Sequence, residues 1–357
     1  MKHDPLSDVL RSVRLRSAVF YYVSCRDPWA AEAPPAKMLA DAVMPGADHV
    51  IAYHLIVKGS AWAAMEGEPP VRLYAGDIVM FPRGHGHVMS SAPGMRALPH
   101  RGDWVYETRN DPKPIPVAYY QGAVQPGSEM PPEETNTIVV CGFIGCDLKP
   151  FNPIIEALPR LLYLRSAGVG AWVLPMLQQA VSESRSRRSG SAAILERVSE
   201  MVFVDAARRH LETMPDNASG WLAALRDRHV GKAIALMHER PAEPWTIDEL
   251  GRQVGLSRSA LHERFNELAG IPPMQYLTNW RMQRGAQLLR EGNATVATIA
   301  QEVGYDSEAA FARAFKRLVG QPPAAWRRGQ APGSRSAPHE LSPQETETKT
   351  GRAAGFV

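Results

Sequence analysis

A chain of 357 residues and 39.3 kDa is longer than one small core organises, so at least two domains of roughly 100 to 200 residues are expected. It is 45% hydrophobic and 22% charged, with a mean hydropathy of −0.25 and no apolar run near the ~18–20 residues of a membrane helix; a membrane-spanning protein is excluded. The net charge of +3 is unevenly held: residues 221–328 carry 15 Lys and Arg against 11 Asp and Glu, and that surplus suits a polyanionic partner for the segment.

The first 17 residues mix acids, bases and polar groups and lack the apolar core of a secretory signal, so a cytoplasmic location is expected. Cys25, Cys141 and Cys146 are odd in number for a disulfide framework and are expected as reduced, packed thiols. From Ser17 to Asp147 short apolar runs (HVIAYHLIVKG, VRLYAGDIVMFP, VAYYQG, NTIVVCGFIG) alternate with turn signals, the pattern of a β-sandwich or small barrel. Alternating aromatics on such strands predict an interior lined by Tyr53, Trp62, Tyr74, Phe81 and His87, with Met80 and Tyr119 beside them, as an effector pocket.

After FNPIIEALP the apolar spacing changes to three and four residues. LPRLLYL, AWVLPMLQQAVSES and SAAILERVSEMVFVDAARRHLETM read as helices, and residues 152–212 as a helical linker and dimerisation segment. In the last of these, Ile194, Val198, Met201, Val202 and Ala206 form the stripe expected to pack inward. SESRSRRSGS (182–191) reads as a loop, TMPDNASG (213–220) as a domain linker, and residues 329–357 as a disordered tail.

Residues 246–265, TIDELGRQVGLSRSALHERF, hold two helices around a tight corner. Thr246 and Glu249 have the spacing of a capping box, Gly255 supplies a positive φ, Leu256 plugs the corner and Ser257 caps the second helix. Leu261, Phe265 and Leu268 share its inner face, so Ser259, His262, Glu263 and Asn266 point outward, flanked by Arg258 and Arg264. The plan recurs in TVATIAQEVGYDSEAAFARAFKRLVG: Thr295 or Thr298 opens a helix, Gly304 turns, Tyr305 plugs, Ser307 caps, and Ala309, Ala312, Arg313 and Lys316 face out beside Arg317. Between them residues 272–290 predict a rigid connecting helix of about 16 residues, or about 24 Å. Two such units on one rod suit successive major grooves of B-DNA, roughly 34 Å apart. Arginine can grip guanine bidentately or neutralise phosphate, whereas alanine can only pack on a thymine methyl.

Through LGRQVGLSRSALHERF, GIPPMQYLTNWRMQRGAQLL and IAQEVGYDSEAAFARAFKRLVGQPPAAWR, residues 221–328 resemble the AraC/XylS family of bacterial transcription regulators. The resemblance implies sequence-specific binding of double-stranded promoter DNA by recognition helices near 257–268 and 307–318. Arg258, Ser259, His262, Glu263, Ala309, Ala312, Arg313 and Lys316 are then the contact residues, and RNA polymerase is a partner if the protein activates. Residues 17–147 resemble a cupin-type sensor through GDIVMFPRGHGH and HLIVKGSAW. Many cupins are metalloenzymes with three histidines and a glutamate, yet only His87 stands at a ligand position of that pattern. His54, His85, His87 and Cys141, with His49 and Cys146 nearby, are candidates for a different zinc site if the fold gathers them. No GxSxG, HExxH, P-loop or Gly-rich dinucleotide motif occurs, and neither a catalytic residue nor a cofactor is assigned.

The expected architecture is therefore α+β and multidomain: a cupin-like β-barrel, a helical linker, and an all-α domain with two helix-turn-helix units. The expected function is that of a homodimeric, cytoplasmic, DNA-binding regulator controlled by a small-molecule effector. The alternatives are a cupin metalloenzyme fused to a DNA-binding domain and an effector-independent regulator.

Overall fold

The Asp4 carboxylate accepts hydrogen bonds from the amides of Leu6 and Ser7, at 3.2 and 3.3 Å, and Pro5 fixes the first turn; together they start α1 (Pro5–Ser12). The structure, a computed structural model, describes residues 3–97, 103–120, 123–166, 175–176, 178–179, 182 and 189–330. Two sheets follow α1, with the short helices α2 (Ala40–Val43) and α3 (Asp103–Glu107) in the connections between their strands. The larger is built from β1 (Leu15–Arg26), β3 (His49–Lys58), β6 (Ile78–Phe81), β8 (Ile115–Tyr120), β9 (Ala123–Pro126), β10 (Thr137–Cys146) and β11 (Leu162–Leu164), in the order β11-β6-β3-β10-β1-β8-β9. The smaller holds β2 (Ala30–Ala33), β4 (Ser60–Ala64), β5 (Val71–Tyr74) and β7 (His87–Ser90), in the order β2-β7-β4-β5. Among the pairings of the described residues, only β1–β8 is parallel.

Successive side chains on a strand point to opposite faces, and here both faces of the larger sheet are buried. On β3, Ile51, Tyr53 and Leu55 join a core made with helices, whereas Val50, Ala52 and Ile56 join the core between the sheets. β6 divides in the same way, Ile78 and Met80 on the helical side, Val79 and Phe81 between the sheets.

Two expectations for the linker region are corrected. Leu162–Leu164, in the LPRLLYL run read as a helix, is strand β11 and pairs antiparallel with β6, Leu162 opposite Met80. Pro159 blocks helix continuation from α4 (Pro153–Ala157), and the free edge of β6 supplies backbone partners instead. AWVLPMLQQAVSES falls mostly outside the described residues, as do most of the 182–191 loop and residues 331–357 of the tail. The helix α5 (Ser191–Thr213) forms, but its buried face is Leu195, Val198, Val202, Phe203, Ala206 and Ala207. Ile194 and Met201 lie outside that face, 43% and 40% exposed, because the residues that fit against β1 and β10 sit one position further along the chain.

The remaining helices are α6 (Trp221–Arg226), α7 (Val230–Glu239), α8 (Ile247–Val254), α9 (Arg258–Ala269), α10 (Pro273–Glu291), α11 (Val296–Glu302), α12 (Glu308–Val319) and α13 (Pro323–Gln330). The linker 213–220 is not free: Arg226 binds Asp216 at 3.0 Å, and the Gly220 amide donates to the Leu268 carbonyl at 2.9 Å. A single core runs from the outer face of the larger sheet through α1 and α5 into α6–α9 and the first half of α10. A separate core of Met282, Ala286, Leu289, Ile299, Val303, Phe311, Phe315 and Trp326 joins the second half of α10 to α11–α13.

Candidate functional site

Each helix-turn-helix corner is specified locally. The Thr246 hydroxyl accepts from the Glu249 amide at 3.1 Å, Gly255 closes α8 with φ +78°, and the Ser257 hydroxyl accepts from the Ala260 amide at 3.2 Å. The second unit repeats this with Thr295 accepting from Thr298 at 3.1 Å, Gly304 at φ +84°, and Ser307 accepting from Ala310 at 3.2 Å. The capping box is only half made, since the Glu249 carboxylate turns away to Arg252 and Gln253. Tyr305 plugs its corner edge-on to Phe311, ring centroids 5.7 Å apart. Gly285 on α10 lets α12 approach: a Cβ there would lie 2.9 Å from the Phe311 ring.

Packing Leu261 and Phe265 inward leaves Arg258, Ser259, His262 and Glu263 exposed on one face of α9. Packing Phe311 and Phe315 inward leaves Ala309, Arg313 and Lys316 exposed on α12, with Ala312 half-buried. Arg258 meets Asp248 at 3.4 Å across the corner, and Arg264 is bound to Asp227 through Nε at 2.9 Å and a terminal nitrogen at 2.5 Å. That bond holds the Arg264 guanidinium at the α6–α7 corner, while Arg258, Ser259 and His262 remain exposed donors of α9. The rod α10 has 19 residues, about 28 Å at 1.5 Å per residue, three residues longer than the sequence suggested.

Between the sheets lies a cavity of about 110 Å³, walled by Tyr21, Trp29, Trp104, Tyr119, Met89 and Phe143, with His54, His87 and Cys141 at its polar side. Of the five pocket residues expected from sequence, only His87 lines it. Tyr53 faces the helices and bonds Ser199 of α5 at 2.7 Å. Phe81 is wholly buried behind the cavity, stacked on His87 at 3.6 Å. Trp62 and Tyr74 stand on the outer face of the smaller sheet beside Arg72, and Tyr74 is 51% exposed. Tyr53, Trp62 and Tyr74 fall on the wrong side of the two-residue alternation, and Phe81 is on the right side but one layer behind His87.

The proposed zinc ligands do not converge on one point. His54 bonds Cys141 Sγ through Nδ1 at 3.0 Å and His87 Nε2 through its own Nε2 at 2.7 Å, so the sulfur and the second imidazole lie on opposite sides of its ring. His85 is outside this group, and His49 is bonded to the Pro82 carbonyl at 2.6 Å. Burial, with His87 adjacent, pushes His54 well below the ordinary histidine value; burial also pushes His87 down to about 4 and the Cys141 thiol up to about 12. The His54–His87–Cys141 side of the cavity is thus uncharged at neutral pH, and Glu32, the carboxylate on its lining, is paired with Arg96 at 2.6 Å.

A sensor-to-reader junction that sequence reasoning missed is built on α10. The buried Gln283 amide donates to the Ser12 carbonyl at 2.9 Å and accepts from the Phe151 amide at 3.0 Å. Arg290 reaches the same Ser12 carbonyl at 2.6 Å and pairs with Asp147 at 3.2 Å, both side chains largely buried. Only the polar character of two residues on an otherwise apolar helix face hinted at these bonds.

The Cupin family model matches residues 4–212, a span that takes in α1 and α5 with both sheets, and the helix-turn-helix domain family model matches residues 250–329. A putative AraC-like transcription regulator of Streptomyces lividans is 30% identical over 91% of this chain and 98% of its own length. The regulator AlkR of Acinetobacter baylyi is 27% identical over 91% and 99%, and MtrA of Neisseria gonorrhoeae 28% over 77% and 85%. Among solved structures, the DNA-binding domain of AdpA in complex with a target DNA is 28% identical, covering 29% of this chain and 92% of that one at a TM-score of 0.28. With a sheet-built cupin domain ahead of two helix-turn-helix units on one rod, the chain belongs to the AraC-like family of DNA-binding transcription regulators.

Proposed function

We propose that the protein switches promoter binding in response to a small, neutral, mainly apolar effector held between the two sheets. The cavity carries this reading: its walls are aromatic and aliphatic, and its His54–His87–Cys141 side is uncharged at neutral pH. At about 110 Å³ it approaches the ~150 Å³ apolar cavity that accepts benzene. The reading assigns the cupin domain no catalysis. It assigns direct base reading to Arg258, Ser259, His262 and Glu263, and backbone or methyl contacts to Ala309, Ala312, Arg313 and Lys316.

The partner for dimerisation is a second copy of the chain, which would cover the exposed Ile194, Met201 and Val204 of α5. Genomic fragments selected by the purified protein supply the operator. Thermal shift with benzene, toluene and indole against benzoate then tests the effector class. Neutral compounds should raise Tm and change operator affinity, and benzoate should do neither; the effector reading fails if neutral compounds leave both unchanged. Met201→Glu should shift sedimentation toward the monomer, and an unchanged sedimentation profile would remove α5 as the dimer face.

A further inference from the structure

Away from the cavity and the DNA-reading faces, His3, Asp8 and His238 bring two imidazoles and a carboxylate together where α1 meets α7 and α10. One ligand atom from each lies within 4.8 Å of the other two, the one such grouping of metal-binding side chains found among the described residues. We infer that these three residues form a binding site for a divalent transition ion of the zinc class, joining the N-terminal arm of the sensor to the DNA-binding domain.

His238 is prepared as a ligand. Its side chain is wholly buried, stacked on Trp280 at 3.7 Å and 2° between ring planes, and its Nε2 meets the Tyr276 hydroxyl at 2.9 Å. Trp221 Nε1 donates to that same hydroxyl at 2.9 Å, which leaves the phenol one further hydrogen bond to exchange with His238 Nε2, in either direction. Nδ1 hydrogen-bonds Asp8; with an ion between them the ring proton moves to Nε2 and donates to Tyr276, and that outer bond fixes the ring as second partners of metal-bound histidines do. Asp8 Oδ2 stands 3.2 Å from His238 Nδ1, close to the roughly 3.3 Å edge of a zinc tetrahedron with ~2.05 Å bonds.

His3 completes the set from the opposite side. Its Nε2, a buried nitrogen on a partly exposed ring, lies 2.5 Å from Asp8 Oδ2. An ion between them would open that contact by under 1 Å, to the edge of the tetrahedron, and give both groups a common target. Arg11 and Arg284 line the surrounding open cavity, as do Glu239 and Glu302, so the fixed charges balance and Asp8 tips the site negative. Water from that cavity can take the fourth position. Two imidazoles and one carboxylate suit zinc, and no thiolate is required.

The test uses the full chain stripped with chelator and titrated with zinc chloride against a chromophoric competitor. One ion should bind per chain and raise Tm, while His3→Ala and Asp8→Asn each weaken binding at least tenfold and abolish the Tm rise. Both substituted side chains are partly exposed, so the variants retain the fold, checked by circular dichroism. His85→Ala should bind as the unsubstituted chain does. Cobalt in place of zinc should give d–d bands that vanish in His3→Ala. The inference is overturned if no stoichiometric ion binds, if both variants bind undiminished, or if only His85→Ala loses the ion.

Discussion

The two helix-turn-helix units share a plan but differ in what they are fastened to. The first, α8–α9, buries Leu250, Leu261 and Phe265 in the core that continues through α1 and α5 to the outer face of the sensor sheet. The second, α11–α12, closes around Phe311, Phe315 and Trp326 in a core of its own on the second half of α10. Their outer faces differ too: α9 presents hydrogen-bonding Arg258, Ser259 and His262, α12 two alanines and two cations. One reader is thus part of the sensor's cooperative unit and chemically equipped to discriminate bases, whereas the other is a smaller attached unit suited to gripping the backbone.

The largest test removes a core aromatic from each. Phe265→Ala and Phe315→Ala should each cost about 3–5 kcal/mol. In calorimetry the first should lower the transition shared by sensor and first unit, and the second a smaller separate transition. If both variants lower one common transition, the division is wrong.

Acid sharpens the same division. His87 titrates near 4 in the fold against 6.5 ordinarily, so as pH falls the unfolded chain is protonated first. The stabilisation is complete above about pH 6.5 and is lost between about 6.5 and 4, roughly 3 kcal/mol in all, with burial of His54 acting in the same direction. Tm of the larger transition should fall across that window and the smaller one should not follow, with His87→Gln flattening the slope.

DNA binding separates the outer faces. Arg258→Ala should cost about 1–3 kcal/mol concentrated at one base pair of the operator, and Arg313→Ala a smaller loss spread evenly over sequences with a shallower salt dependence. Gel shifts on an operator substitution series measure both, and equal patterns would remove the contrast. The smallest effect should be symmetric: Ser257→Ala and Ser307→Ala each lose one capping bond, about 1 kcal/mol, in their own transitions.

The readers were legible in the sequence because their signals are local. A hydroxyl at the cap, a glycine at positive φ and apolar residues at helical spacing all fall within about 20 residues of one another. The cavity was not legible. β3 and β6 are buried on both faces, one against helices and one between sheets, so hydrophobicity does not alternate and nothing local distinguishes Tyr53 from His54 as the inward residue. β11 was misread because three residues at a sheet edge carry too short a pattern to oppose a leucine-rich run. The bonds of Gln283, Arg290 and His238 join residues more than a hundred positions apart, and no spacing rule reaches that far.

Gln283 lies near the midpoint of α10, the eleventh of its nineteen residues. The sensor therefore grips this rod twice, at its middle through Gln283 and in its last turn through Arg290, and Ser12 is common to both grips. One backbone carbonyl of the sensor is thus tied to the stretch of rod that carries the second recognition helix, well clear of the DNA-facing surfaces.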